Sequence, residues 1–288
     1  MSRSERSTFD GSDDRHERHD RSRRLEVQSI GRGSVDSPTD VARWLAGAVG
    51  PPAVVLAALL LVWQAAVVYY GLPSIILPSP GEVGTALVET YPTLLNDAAI
   101  TGVTAAIGLV VGSVIGAVIA FAMIHSRTVT NTVLPYVVAL RIAPLIAIAP
   151  LLFLWFGRGI PARTLVVVTL TIFPITIATL DGLRQTPEAY LELLKTVDAS
   201  RTAAFLHVRV PAAAPSVFAG LKIAATLSVI GAIVAEFVTL NAGLGYRMFE
   251  TSAYLRTAET YAALVVLSLL GLIFYLVPVA IERACWHS

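Results

Sequence analysis

Six apolar blocks organise this chain, at approximately residues 52–70, 100–124, 133–154, 164–181, 214–239 and 260–281. Each is roughly 18 to 26 residues long, enough at 1.5 Å per helical residue to cross a hydrocarbon core about 30 Å thick. Inside that core every backbone N–H and C=O must be satisfied by the protein, which leaves helices or a closed barrel. Barrel strands show alternating segments of about ten residues, so these uninterrupted runs are read as helices. The expected fold class is an all-α membrane protein with six transmembrane helices. Composition agrees, because only 14% of the residues are charged, against roughly 25% in soluble domains.

The polar residues divide the chain further. Residues 1 to 40 mix Arg, Asp, His and Ser with almost no apolar periodicity. Such a stretch buries too little to offset the entropy of ordering and is expected to be disordered. Arg21, Arg23 and Arg24 could touch anionic lipid headgroups, although the interspersed Asp and Glu weaken that attraction. No small-residue cleavage site follows the first block, so Val54 to Tyr70 is expected to remain as an anchor. The expected organisation is a hydrophilic tail at 1–45, a first transmembrane helix with an external interfacial segment at 46–98, and a core domain at 99–288. That core contains a polar loop at 182–213.

Arg32, Arg43, Arg127, Arg184, Lys195, Arg201, Arg209 and Arg283 fall on one side of the alternating spans. Only Arg158, Arg163, Arg247 and Arg256 fall on the other. The positive-inside rule then places both termini and the 182–213 loop in the cytoplasm. Arg-rich, Lys-poor composition points to a GC-rich prokaryotic genome, hence to a multi-pass protein of a prokaryotic cell membrane. Cys285 is the only cysteine, so no intramolecular disulfide can form.

Local signals add detail. Ser79, Pro80 and Glu82 stand at N-cap, N1 and N3 of a helix, with Val83, Leu87 and Val88 on one face. The expected product is a short amphipathic helix at the outer interface, either packed across the bundle or simply covering it. Gly108, Gly112 and Gly116 form a flat ridge where another helix can approach closely. Pro144, Pro150 and Pro174 interrupt the third and fourth blocks and free backbone carbonyls, as kinked helices of transporters and of static bundles both do.

The 182–213 loop cannot sit in hydrocarbon, because Glu188, Glu192, Lys195, Asp198, Arg201 and Arg209 would each cost several kcal/mol there. Tyr190, Leu191, Leu194 and Val197 follow helical spacing and predict a short amphipathic helix from Glu188 to Val197, broken by Asp198 and Ala199. Ser200 can cap a second short helix from Arg201 to Val208, which Pro211 is expected to stop. Two brief helices joined at a corner make a rigid elbow.

Glu192, Leu193, Leu194, Asp198, Val208, Val210 and Pro211 sit at the spacing of the motif E-A-A-x3-G-x9-I-x-L-P. In that respect the chain resembles permease subunits of binding-protein-dependent ABC importers, with Asp198 where that family usually has glycine. Asp tolerates a left-handed corner better than most residues do. The stretches LPSPGEV (77–83), LRIAPLIAIAPLLFLWFG (140–157), GLKIA (220–224) and AGLGY (242–246) resemble the branch associated with sulfonate, taurine, nitrate and thiamine-precursor uptake.

The resemblance implies a type I importer architecture in which residues 199 to 207 form a coupling helix, braced by Glu192 and docked in a groove of an ATPase subunit. Phe205 could anchor in that groove, with Arg201 pairing an acidic rim, or could pack back on the chain itself. The implied partners are ABC ATPase subunits, an extracytoplasmic solute-binding protein, a second permease subunit in a homodimer, and the lipid bilayer. No nucleic-acid partner is expected, and no cofactor is expected on this chain. It lacks a GxxxxGK[ST] loop, so ATP would be used by the partner subunit.

Arg141 and Lys222 lie at matching depth inside their blocks, about 12 Å from one end. Two cations at one level could form an anion-friendly stage with Pro144, Ser228 and Glu236 along a translocation path. They could equally snorkel or bind carbonyls freed by Pro144. Glu236 could pair with a nearby arginine at the interface or act as a gate. No metal-spaced His/Glu set is present in the blocks. A secondary carrier would need an inverted repeat and an essential membrane carboxylate, and neither is evident; a membrane enzyme or scaffold is the remaining alternative.

Overall fold

The computed structural model describes residues 38–186 and 200–286. Within them the helices are α1 (Pro38–Tyr70), α2 (Pro80–His125), α3 (Arg127–Ile142), α4 (Leu145–Phe156), α5 (Ile160–Arg184), α6 (Arg201–Ala204), α7 (Val210–Thr239), α8 (Leu244–Ala253) and α9 (Thr257–Trp286), with a π-helical turn at Phe205–Arg209. No strand occurs among the described residues. The chain divides into two compact units, Met1–Val62 and Trp63–Ser288. The described part of the first is the apolar start of α1, with side chains such as Val54 and Leu61 exposed as a lipid-facing helix requires. The tail expected to be disordered lies, up to residue 37, outside the described residues.

Two expectations about the spans need correction. The capping box at Ser79 forms, with Ser79 N donating to Glu82 Oε2 at 2.7 Å and Glu82 N to Ser79 Oγ at 3.3 Å. The helix it starts does not end at the interface, however. It continues to His125 as one 46-residue element, about 69 Å long. Pro92 lies inside it and removes a single N–H without ending the helix, so the interfacial helix and the second span are one rod.

The third block is broken rather than merely kinked. Proline disfavours the helical conformation in the residue before it, and Ala143 is extended, with ψ 133°. The axes of α3 and α4 consequently differ by 101°, leaving among the described residues five helices that can span a membrane alone and a sixth if this bent pair counts as one.

The centre of the second unit is α5, packed between α2 and α7. Side chains at Gly108 and Gly112 would overlap Val167 and Thr171, and a Cβ on Gly116 would meet Ile172 O at 3.0 Å. Thr171 Oγ1 donates to Gly108 O at 3.3 Å and Thr176 Oγ1 to Gly116 O at 3.2 Å, so hydroxyls of α5 bind carbonyls of the glycine ridge. In an apolar solvent such close packing and interhelical hydrogen bonds replace the hydrophobic drive. The neighbouring core is accordingly rich in alanine, with Ala105, Ala232, Ala262 and Ala263 all fully buried.

Candidate functional site

Ser200 Oγ accepts from Ala203 N at 3.1 Å and starts α6, which Arg201 opens. Pro211 does not stop this helix, contrary to the sequence expectation. It stands in the first turn of α7, where a missing N–H costs nothing within that helix. With no N–H to return to the preceding turn, the chain widens into the π turn at Phe205–Arg209 and then continues helically. From Ser200 onward the chain therefore runs helically into α7. Glu192 and Asp198, with the helix expected from Glu188 to Val197, lie outside the described residues.

Phe205 packs back on the chain. Its ring lies 5.6 Å from that of Phe121, at 75° in an edge-to-face pair, and 5.3 Å from the His125 ring. His125 Nδ1 is 2.7 Å from Phe121 O, which fixes the imidazole over the end of α2. Leu206, which the sequence reading passed over, is instead 55% exposed. Adjacent residues point about 100° apart on a helix, so with Phe205 turned inward Leu206 is left facing outward.

Arg141 lies in the last turn of α3, with its guanidinium carbon 5.8 Å from the centroid of the Phe173 ring. Both line a cavity of about 390 Å³ between α3, α5 and α7, together with Ile177, Asp181, Gly220 and Ile223. Lys222 does not share this stage. Its Nζ lies 2.5 Å from Glu282 Oε2 on α9, because adjacent residues point about 100° apart on a helix and Ile223 takes the cavity side. Ser228 is likewise no part of the cavity lining. It is fully buried and donates to Ala225 O at 2.7 Å within its own helix. Pro144 sits at the α3/α4 break, and its carbonyl accepts from Ala147 N at 2.8 Å.

Glu236 is fully buried at the opposite end of α7. Its Oε2 accepts from Gly245 N at 2.8 Å and from Thr101 Oγ1 at 3.0 Å, and Thr101 Oγ1 accepts from Leu244 N at 2.9 Å. The pairing with an arginine considered from the sequence does not form; the carboxylate is held by the backbone that starts α8. Arg247 Nε goes to Asp97 Oδ2 at 2.9 Å. Partial burial works against the charge of Arg247, but the hydrogen bond and charge of Asp97, aided by Glu250, outweigh it and hold the guanidinium above its ordinary value. Arg163 is buried near Glu236, and Arg163 Nε and Glu236 Oε1 have no hydrogen-bond partner.

No group of three or more potential metal ligands occurs among the described residues. A helical bundle with a broken span, a capped helical element feeding directly into a spanning helix, and a charged cavity beside it define a polytopic transport subunit. Residues 108–285 match the family described as binding-protein-dependent transport system inner membrane component, and the chain belongs to it.

A probable ABC transporter permease protein of Haemophilus influenzae is 36% identical over 224 residues, 78% of this chain and 91% of that protein. The formylaminopyrimidine transport permease protein ThiX of Halalkalibacterium halodurans is 34% identical over 216 residues, 75% and 86%. A chain from the crystal structure of an amino acid ABC transporter with histidines shares the fold with a TM-score of 0.58 at 18% identity, covering 69% of this chain and 97% of that one. The protein is thus a permease subunit of an ATP-driven importer, a non-catalytic membrane component whose ATPase activity lies in partner subunits.

Proposed function

We propose that this chain forms a homodimeric path in a prokaryotic cell membrane, with both termini and the 182–213 loop cytoplasmic. A solute-binding protein delivers solute to the opposite face, and paired ATPase subunits bind the loop. The tail at 1–45 lies outside the mechanical core. The carrying observation is the unbroken helical path from Ser200 through the π turn into α7. A rigid element of this kind transmits displacement, and a packed bundle answers in discrete steps rather than by continuous bending. The coupling roles carried over from the family motif fall on Glu192 and Asp198, and Arg201 with exposed Leu206 faces the ATPase. The solute is a small anion such as a sulfonate, taurine or nitrate, or a thiamine precursor, which Arg141 attracts on its way through.

The test is co-purification. The tagged chain should bring an ATPase subunit carrying a P-loop, and proteoliposomes containing the complex should take up solute only with ATP and the binding protein. Glu192→Lys should release the ATPase. Uptake without ATP and without a second protein would sink this reading.

A further inference from the structure

We infer that Arg163 is a second holder for Glu236: the carboxylate that grips the start of α8 in this structure passes to Arg163 when this end of the bundle changes state, and α8 is let go. The inference rests on the reading of the chain as an ATP-driven conducting subunit and deepens it by naming a residue pair that changes partners during the cycle.

Four charges gather where α2, α5, α7 and α8 come together, at the end of α7 remote from the π turn. Asp97 and Arg247 form a pair at 2.9 Å, and Glu250 touches the same guanidinium at 3.3 Å. One cation and one carboxylate remain. Arg163 is 5% exposed and Glu236 0%, and among the described residues Arg163 Nε and Glu236 Oε1 have no hydrogen-bond partner. The guanidinium is near enough to act on the carboxylate electrostatically. While Oε2 holds Gly245 N and Thr101 Oγ1, however, Oε1 does not reach Arg163 Nε.

Each remaining charge also opposes the dipole of its own helix. Arg163 is the fourth residue of α5, at the positive end, and Glu236 is the fourth from the end of α7, at the negative end. A buried charge without a partner is costly, and a direct pair would relieve both at once. The exchange trades one orphan for another. Pairing satisfies Arg163 and leaves Gly245 N without its acceptor, while Thr101 Oγ1 keeps Asp97 O at 3.0 Å. Two arrangements that each leave a different group unsatisfied are the raw material of a two-position switch. The loop before α8 feels the change directly, because Gly243 lies so close over the carboxyl group that a Cβ there would overlap it.

The test is hydrogen exchange, read by mass spectrometry on peptides within residues 241–250, in the complete importer in nanodiscs. Exchange is timed without nucleotide and after trapping with ATP and vanadate. Trapping is expected to speed exchange of the wild-type segment about tenfold, as Gly245 N loses its acceptor. Arg163→Gln removes the second holder and should abolish the acceleration, whereas Arg163→Lys keeps a cation and should restore much of it. Glu236→Gln still accepts from Gly245 N but has no charge to pass on, so it should also stay slow, and it gives the same reading if Arg163→Gln does not assemble. Each complex scored must hold its ATPase.

Equal acceleration in the wild type and Arg163→Gln overturns the inference, because release of α8 then owes nothing to Arg163. Unchanged exchange on trapping, in a wild-type complex that carries out ATP-driven uptake, also overturns it: Arg163 and Glu236 are then a fixed, solvent-bridged pair, and the transport reading stands. Failure of the wild-type chain to hold an ATPase strikes that reading instead, and the inference with it.

Discussion

Gly243 makes room for the carboxyl group of Glu236: a side chain at 243 would overlap Glu236 Cδ and both carboxylate oxygens. The same glycine has φ 106°, a conformation L side chains rarely adopt. The loop that starts α8 can therefore fold down onto the carboxylate and offer it the N–H of Gly245.

Gly243→Ala is expected to destabilise the protein by about 2–3 kcal/mol from backbone strain alone, with the overlap adding to it. Gly84→Ala provides the contrast, because a Cβ there meets nothing within 4 Å; in a helix interior it should stabilise by about 0.5–1 kcal/mol. Thermal unfolding of the purified complex measures both. Equal midpoints for the two variants would contradict the geometry.

Glu236 acts as an acceptor for two donors. Glu236→Gln keeps a carbonyl for Gly245 N and Thr101 Oγ1 and should change stability little. Glu236→Ala orphans the buried N–H of Gly245, at about 1–3 kcal/mol, while Thr101 Oγ1 can still donate to Asp97 O at 3.0 Å. The comparison is read from unfolding midpoints, and a Gln variant as unstable as the Ala variant would argue that charge, not acceptance, matters here.

Gly112 and Thr171 should be energetically coupled. Gly112→Ala drives a methyl into the Thr171 side chain and is expected to cost about 1–3 kcal/mol. Thr171→Ala removes that obstacle along with the hydrogen bond to Gly108 O. The double variant should be more stable than the sum of the singles by about 1 kcal/mol or more. Simple additivity in a double-mutant cycle would mean that the ridge has spread apart.

Phe205 and Phe121 should behave as one unit. An edge-to-face pair contributes about 0.5–1.5 kcal/mol beyond its buried area, and this one ties the π turn to the end of α2. Phe205→Ala and Phe121→Ala are both expected to lower solute moved per ATP hydrolysed while leaving the ATPase bound. Leu206→Ala should weaken ATPase capture instead, since Leu206 is exposed. Loss of the ATPase from Phe205→Ala alone, with Phe121→Ala unaffected, would return Phe205 to the role of a partner anchor.

Much of this protein was legible in residue order because membrane helices are specified by length and hydropathy, both local quantities. The apolar blocks, the start of α2 at Ser79, the cap at Ser200 and the loop that resembles an importer's coupling element needed no third dimension. The boundaries that went astray have physical causes that local pattern does not carry. Pro211 sits in the first turn of a helix, where a missing N–H is tolerated, and Pro92 is carried inside α2, whereas Pro144 follows an extended residue, so the same residue type continues two helices and breaks a third.

Partner choice was decided by the tertiary structure alone. Depth along a span made Arg141 and Lys222 look equivalent, but depth says nothing of azimuth, and packing turned Lys222 to Glu282 and Arg141 to the cavity. Glu236 found the backbone N–H of Gly245 and the hydroxyl of Thr101 in place of an arginine, since those donors arrive from residues 9 positions ahead and 135 positions back. Sequence determines which segments enter the bilayer through free energies summed along the chain; which side chains meet there depends on how the helices rotate and cross, and only their mutual packing sets that.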